Sequence, residues 1–119
     1  MRRFKSLEVW KRSMEMADFA YTLVDNFPKH LIYGIGVQIQ KSAASVPSNI
    51  AEGHDRNSTK EFLQFLGYAS GSLSELETQI IIAANRKYIT SEESKKMDLY
   101  FEEVSKMLWG LRSSLRKKL

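Results

Sequence analysis

The sequence has no cysteine, only two histidines and two prolines, and no long apolar run. Without cysteine there is no disulfide, and no thiolate for catalysis or metal binding. A membrane-spanning helix needs about 20 mostly apolar residues, and the longest run here, residues 80–84, is far shorter. No apolar signal segment follows the basic N-terminal residues. These absences predict a cytoplasmic protein with no membrane partner.

Motifs for catalysis and cofactor binding are scarce as well. His30 and His54 are expected as solvated loop residues at opposite ends of the fold, where they cannot share a metal ion. Gly34 and Gly36 lack the third glycine and the preceding strand of a dinucleotide-binding loop, and no P-loop occurs. We therefore predict no catalytic residue, metal, cofactor or small-molecule substrate, and expect a non-enzymatic protein.

Glu75 and Glu77 carry the remaining enzymatic alternative. Glu77 flanks the apolar stripe of a predicted helix, where an ion pair with a cation on a neighbouring helix is favoured over a general base. No second polar group lies within sequence reach. An enzyme would need a pocket with perturbed carboxylates around these two residues.

The composition is that of one ordinary globular domain. The chain has 119 residues, of which 43% are hydrophobic and 27% charged, enough for a single core over residues 1–119. The net charge of +4 permits a polyanionic partner without requiring one.

Apolar residues recur at steps of three and four, which predicts helices, and no strand-like alternation is present. The predicted helices cover approximately residues 7–26, 33–52, 59–86 and 91–116. Their connections are short, which favours an all-α, up-down-up-down antiparallel four-helix bundle. Ser6 is the predicted cap of the first helix, and capping boxes at 58–61 and 90–93 begin the third and fourth.

Two helices have patterns that make specific predictions about packing. The first helix is expected to pack through a stripe of Leu7, Trp10, Met14, Ala17, Tyr21 and Val24. Its other apolar residues, Val9, Met16, Phe19, Ala20, Leu23 and Phe27, would then be available to a neighbouring subunit. The third helix carries a regular stripe of Phe62, Leu66, Ala69, Leu73, Leu76, Ile80 and Ala83. A second stripe of small residues, Gly67, Ser70, Gly71, Ser74 and Thr78, predicts close approach of another helix.

Residues 42–53 read Ser-Ala-Ala-Ser-Val-Pro-Ser-Asn-Ile-Ala-Glu-Gly and carry a proline within an apolar helical pattern. Pro47 has no N–H for the carbonyl of Ala43, so a bend is expected, with Ser45, Ser48 or water serving that carbonyl. Gly53 is expected to close the helix in a left-handed conformation.

The same stretch resembles the signature "AAVSIPSNIAEG" of the four-helix-bundle family found in intervening sequences of bacterial 23S rRNA genes. Further matches lie along nearly the whole chain, at residues 7–10, 27–29, 33–34, 61–63 and 71–78. The resemblance implies a structural role for the signature residues Ser45, Pro47, Asn49, Glu52 and Gly53. It extends to the accessory variability determinant protein of diversity-generating retroelements, and so implies a basic homopentamer that engages a reverse transcriptase and RNA.

In the predicted topology, the start of helix one, the helix two–three loop and the end of helix four share one end. That end collects most of the candidate nucleic-acid-binding residues, and Lys41 beside the signature completes the set: Lys5, Lys11, Arg12, Lys41, Arg56, Lys60, Arg112, Arg116, Lys117 and Lys118. Many members of the family have Arg-Arg before the signature, where this chain has Gln40 and Lys41. The alternative is that the terminal cations only keep the bundle soluble and favour the dipole of helix four.

Two functions remain open from the sequence. The first is a non-enzymatic oligomeric bundle, with a homopentamer favoured, whose basic surface binds RNA or an RNA-associated protein such as a reverse transcriptase. The second is a protein–protein adaptor without a nucleic-acid role, which docks a partner helix on its apolar or small-residue surface.

Overall fold

The computed structural model describes residues 3–119, and every regular element in that part of the chain is helical. Four long helices form the structure: α1 (Glu8–Asp25), α2 (Val37–His54), α3 (Thr59–Asn85) and α4 (Ser91–Arg116). A 3-10 helix, Arg3–Ser6, precedes α1. A helical turn, Lys29–Leu31, and a π-helical segment, Ile32–Gly36, lead into α2. The prediction of an all-α four-helix bundle is confirmed.

Side-chain contacts between neighbouring helices establish their antiparallel order. On α1 and α4, Arg12 contacts Glu103 while Phe19, further along α1, contacts Tyr100. On α2 and α3, the contacts of Ser42 with Glu75 and of Ser45 with Ser72 likewise run in opposite directions. Each long helix packs on the next, and α4 packs on α1, so the helices form a closed bundle measuring 46 × 22 × 21 Å.

The predicted stripe of α3 forms the centre of the core. Leu66, Ala69, Leu73, Leu76, Ile80 and Ala83 are buried, and Phe62 is half-buried at the end of the row. These residues alternate steps of four and three, which keeps them on one helical face. They pack with buried residues of the other three long helices, among them Met16, Ile39 and Met97.

The predicted stripe of α1 is wrong in phase. The face toward the core consists of Val9, Ser13, Met16, Ala20, Leu23 and Phe27, all buried, with Ala17 and Val24 beside it. This row also steps by four and three, but a serine interrupts its apolar pattern. The Ser13 hydroxyl is fully buried and donates to the carbonyl of Trp10 at 2.9 Å, so its hydrogen bond is satisfied within the helix. Met14 and Tyr21, expected in the core, are 36% and 40% exposed.

The starts of α1, α3 and α4 differ in how they are capped. Leu7, and not the predicted Ser6, is the N-cap of α1; the Ser6 hydroxyl instead donates to the carbonyl of Arg3 at 2.7 Å. The Ser58 hydroxyl accepts from the Glu61 amide at 3.1 Å, which confirms one half of the predicted capping box; the Glu61 carboxylate accepts from the Ser58 hydroxyl at 3.3 Å and not from the Ser58 amide. The capping box at the start of α4, between Thr90 and Glu93, is present in both directions.

Helix α2 retains Pro47 in its interior but does not end as predicted. Gly53 lies inside the helix, and within residues 3–119 no glycine has a positive φ. Glycine is required at position 53 for a steric reason, because a Cβ there would lie 2.6 Å from the Cβ of Phe65 on α3. The hydroxyl of Ser45, expected near the Ala43 carbonyl, instead lies 2.8 Å from the hydroxyl of Ser72.

The start of α2 has no side-chain cap. A helical turn precedes it, in which the amide of Leu31 donates to the carbonyl of Pro28 at 2.9 Å, and Gly34, with φ −106° and ψ −105°, forms a kink between this turn and α2. Gly36 is buried at this junction, and a Cβ there would lie 2.9 Å from Cγ1 of Val24. The glycine therefore permits the close approach of α1 and the start of α2.

The turn between α3 and α4 is a Schellman motif with a lysine in the left-handed position. The amide of Tyr88 donates to the carbonyl of Ala83 at 2.8 Å, and the amide of Lys87 donates to that of Ala84 at 3.0 Å. Lys87 has φ 63°, a conformation that glycine usually adopts at this site. Ile89 is buried immediately afterwards, so the turn is fixed to the core.

Candidate nucleic-acid interface and apolar groove

The bundle topology brings most of the candidate cations to one end of the molecule. Lys5 lies in the 3-10 helix, Arg56 and Lys60 lie at the α2–α3 connection, and Arg116 closes α4. Lys11 and Arg12 lie in the first turns of α1, and Lys117 and Lys118 follow α4. Lys41 is in the first turns of α2 and therefore lies toward the opposite end.

Three of these cations are already paired with carboxylates. Arg12 donates from Nη2 and Nε to the two carboxylate oxygens of Glu103, at 2.7 and 3.1 Å, and also pairs with Glu15. These hydrogen bonds raise the pKa of Arg12 above its ordinary value. Lys11 lies 3.4 Å from a carboxylate oxygen of Glu8.

Arg56 is paired in a similar way at the end of α2. Its Nη2 lies 2.8 Å from a carboxylate oxygen of Glu52, one turn earlier in the chain. Its guanidinium carbon also lies 4.6 Å from the centroid of the Phe65 ring. The carboxylate of Glu52, a signature residue, therefore compensates the positive charge of Arg56 and weakens its attraction for a phosphate.

The C-terminal part of α4 is different because it carries no acidic residue. Five cations and no Asp or Glu follow Glu103 in the sequence: Lys106, Arg112, Arg116, Lys117 and Lys118. Among the residues that the structure describes, none of the five forms an ion pair. Arg116, Lys117 and Lys118 are exposed, whereas Arg112 is half-buried where α4 passes Gly67 of α3. We call Arg116, Lys117 and Lys118, together with the exposed Lys5 and Lys60, the basic pole.

Two of the signature residues of α2, Ser45 and Gly53, lie against α3. The side-chain amide of Asn49 donates to the carbonyl and the hydroxyl of Ser45, at 2.8 and 3.0 Å. Ser45 in turn contacts Ser72 of α3, and Gly53 lies against Phe65. Ser45, Asn49 and Gly53 thus make packing or hydrogen-bond contacts, whereas Glu52 is exposed and pairs with Arg56.

Pro47 contributes to a different feature, an apolar groove between α1 and α2. The groove has a volume of about 370 Å³ and is lined by Trp10, Met14, Ala17, Asp18, Tyr21, Ala44, Pro47, Ser48 and Ala51. Among these lining residues, Asp18 alone is charged. Because the predicted stripe of α1 is rotated away from the core, several of its members line this groove. The sequence signal for the groove was present but was assigned to the wrong side of the helix.

The carboxylates Glu75 and Glu77 lie in separate environments. Glu75 accepts a hydrogen bond at 2.9 Å from the hydroxyl of Ser42, which is buried on α2. Glu77 lines a shallow depression with Asp98 and Glu102, where its charged neighbours are acids instead of the predicted cation. Sequence reasoning missed the Ser42–Glu75 contact because it joins residues that are distant along the chain.

The two histidines lie in different parts of the fold. His54 is the last residue of α2, and its ring meets that of Phe62 edge-on at 5.6 Å, so it is not a loop residue. His30 lies in the exposed helical turn before α2.

In the described part of the chain, no group of three potential metal ligands is found. Over residues 3–119, no helix has the length and apolar character needed to cross a bilayer.

The small-residue stripe of α3 does not receive another helix of the same chain. A Cβ at Gly71 would have no atom within 4 Å, and one at Gly67 would meet only the Arg112 side chain at 3.9 Å. Within residues 3–119, the close packing that the stripe predicts is therefore not found.

The fold and its surfaces define a four-helix bundle with a basic end and an apolar side groove. The chain belongs to the 23S rRNA-intervening sequence protein family, whose model matches residues 5–110. It is similar to the crystal structure of a protein of unknown function from the S23 ribosomal protein family of Bacteroides thetaiotaomicron. The two chains are 25% identical with a TM-score of 0.77, and the similarity covers 87% of this chain and 97% of the other. No curated protein matches.

Proposed function

We propose that this protein is a non-enzymatic, self-associating four-helix bundle that binds RNA through its basic pole. The observation that carries the proposal is the absence of acidic residues after Glu103, together with the exposure of Arg116, Lys117 and Lys118. Unpaired cations on a rigid helix attract phosphates and release counterions when they bind. The family's association with 23S rRNA intervening sequences supports RNA as the polyanion. The bound RNA could also carry a protein such as a reverse transcriptase.

The self-association part of the proposal rests on the apolar groove. Its occupant is a second copy of the chain, because apolar side chains are also exposed on the outer face of α3. Tyr68 and Ile82, about four turns apart on one side of that helix, are each about half exposed. A contact between two different surfaces is heterologous, and it closes into a ring when the rotation permits. The resemblance to the retroelement accessory protein favours five copies.

The RNA proposal is tested by measuring affinity for a single-stranded RNA against salt concentration. Replacing Arg116, Lys117 and Lys118 with glutamine should weaken binding and reduce the salt slope by about 0.7 for each phosphate that is no longer neutralised. The matched control replaces Lys29, Lys87 and Lys95, three exposed cations at the other end, and should leave the slope nearly unchanged. Equal weakening in both variants would show that only net charge matters. No binding by the unmodified protein at low salt would overturn the RNA proposal.

Self-association is tested by light scattering. Met14→Glu places a charge in the groove at a position already 36% exposed, so the bundle should fold while its mass falls to that of one chain. Leu99→Glu, at a 60% exposed position on α4 outside the groove, is the control and should retain the unmodified mass. A monomeric unmodified protein would contradict this part of the proposal.

The groove also supports a second candidate function, that of a protein–protein adaptor. Its volume and apolar lining suit a few side chains of an amphipathic partner helix. A monomeric protein that binds no RNA at low salt would favour this function. Conversely, a salt-dependent RNA complex formed by a stable oligomer would count against it.

A further inference from the structure

Trp109 is an exposed aromatic residue within the acid-free part of α4. It is 70% exposed, whereas the other tryptophan, Trp10, is half-buried and packs edge-on against Phe4. Exposing the largest apolar side chain to water is unfavourable unless a partner covers it. A Cβ at the neighbouring Gly110 would have no atom within 4 Å, so the surface beside the indole is open.

Helical spacing gives Trp109 cationic neighbours. Lys106 precedes it by three residues and Arg116 follows it by seven, so the three side chains lie along one face of α4. With a rise of 1.5 Å per residue, the two cations are about 15 Å apart along the helix axis. Ser113 occupies the position between Trp109 and Arg116 and adds no charge.

From this arrangement we propose that Trp109 stacks on an unpaired base of single-stranded RNA while Lys106 and Arg116 contact the flanking phosphates. The inference rests on the proposed RNA binding and specifies the form of RNA. A flat, exposed ring can receive the face of an unpaired base, whereas the bases of a duplex are already stacked on each other. Every base has such a face, so the site distinguishes single-stranded from double-stranded RNA but does not discriminate between base sequences.

The competing explanation is that a neighbouring subunit covers Trp109. The contact proposed for self-association joins the groove between α1 and α2 to exposed apolar residues of α3, and Trp109 lies on α4, outside both surfaces. The indole therefore remains available in a ring assembled through that groove. Light scattering on the variants below separates the two explanations.

The test compares Trp109→Leu with the unmodified protein, using an oligouridylate and a fully paired RNA duplex of equal length as probes. Leucine retains helix propensity and apolar character but removes the ring. We expect the affinity for oligouridylate to fall by about 5- to 150-fold and the affinity for the duplex to stay the same. The salt slope should not change, because every cation that neutralises a phosphate is retained. Trp109→Phe should recover part of the affinity.

The matched control is Tyr33→Leu. Tyr33 is 84% exposed on the π-helical segment at the opposite end, so the change removes a ring more accessible than that of Trp109, away from the acid-free part of α4. It should leave both affinities unchanged. In a Trp10→Phe background, the fluorescence of Trp109 should be quenched by oligouridylate and not by the duplex.

Three other results would overturn the stacking inference, and a fourth would overturn the proposed function as well. If the unmodified protein binds oligouridylate and Trp109→Leu binds it equally well, the stacking inference is wrong while the proposed function stands. An equal fall in affinity for oligouridylate and duplex, or a fall in mass on Trp109→Leu, would also overturn it. If the unmodified protein binds neither RNA, the proposed function and this inference both fail.

Discussion

Gly53 of α2 and Phe65 of α3 define a close approach between these two helices: a Cβ on the glycine would lie 2.6 Å from the Cβ of the phenylalanine. The atom that it would meet is next to the backbone and cannot rotate away. Gly53→Ala should therefore push α2 and α3 apart and destabilise the protein by about 1–3 kcal/mol. Urea denaturation measures this change.

Gly110→Ala is the matched control for Gly53→Ala. Gly110 also lies inside a helix, but a Cβ there would meet no atom within 4 Å. Alanine should stabilise α4 by about 0.5–1 kcal/mol, since it reduces the entropy lost on folding. Destabilisation of similar size in both variants would show that the contact with Phe65 has no special role.

The left-handed backbone conformation of Lys87 suggests that glycine at this position would stabilise the protein. Glycine adopts φ 63° without the steric cost that a Cβ introduces, so Lys87→Gly should raise the free energy of unfolding by about 1 kcal/mol. Lys95→Gly, at an exposed position within α4, should lower it by about the same amount. Urea midpoints that shift in the same direction for both variants would contradict this account of the turn.

The ion pair between Arg12 and Glu103 is expected to contribute to the stability of the fold. Arg12→Gln should lower stability in a salt-sensitive way, and a double-mutant cycle with Glu103→Gln should show favourable coupling. The raised pKa of Arg12 means that its charged form is favoured on folding. That contribution is complete below the ordinary arginine pKa and is lost only as pH rises through the folded value. Raising the pH from neutral to mildly alkaline should therefore leave it intact.

The RNA affinity should distinguish Arg12 from Arg116. Because two carboxylates already compensate Arg12, Arg12→Gln should change RNA affinity by less than about a factor of two, while Arg116→Gln should also reduce the salt slope. Equal effects of the two substitutions would mean that Glu15 and Glu103 release Arg12 when RNA binds.

Pro47 predicts a change in assembly without a change in fold. Pro47→Ala restores an amide donor for the carbonyl of Ala43 and removes part of the groove wall. Helical content measured by circular dichroism should be retained, while the mass from light scattering should fall. Pro28→Ala, before the turn Lys29–Leu31 and outside the groove, should change neither quantity. An unchanged mass for Pro47→Ala would refute the role of the groove in self-association.

The sequence predicted the buried face of α3 correctly and that of α1 incorrectly, for a physical reason. On α3 the apolar row that steps by four and three is unbroken from Phe62 to Ala83, so its phase can be read despite the scattered apolar residues Tyr68, Ile81 and Ile82 elsewhere on the helix. On α1 two apolar rows compete, and the row that forms the core contains Ser13. Because Ser13 satisfies its hydroxyl on the Trp10 carbonyl, it can be buried without a partner on another helix.

In the candidate site, features that depend on neighbouring residues can be read from the sequence, whereas contacts between helices cannot. The acid-free end of α4 can be read from the sequence directly. The compensation of Arg12 by Glu103 joins residues 91 positions apart, and so depends on how α1 and α4 pack. Gly53 illustrates a third case: its importance was recognised from the signature, but the reason is the distance to Phe65 and not its own backbone angle.

An even number of antiparallel helices returns the chain to the end at which α1 begins. A protein fused ahead of Arg3–Ser6 or after Lys118 would therefore emerge beside the basic pole and shield it. Fusion at the α3–α4 turn would instead hold the added domain at the far end of a molecule 46 Å long. Affinity tags attached at the two positions should consequently have opposite effects on retention by a polyanion resin.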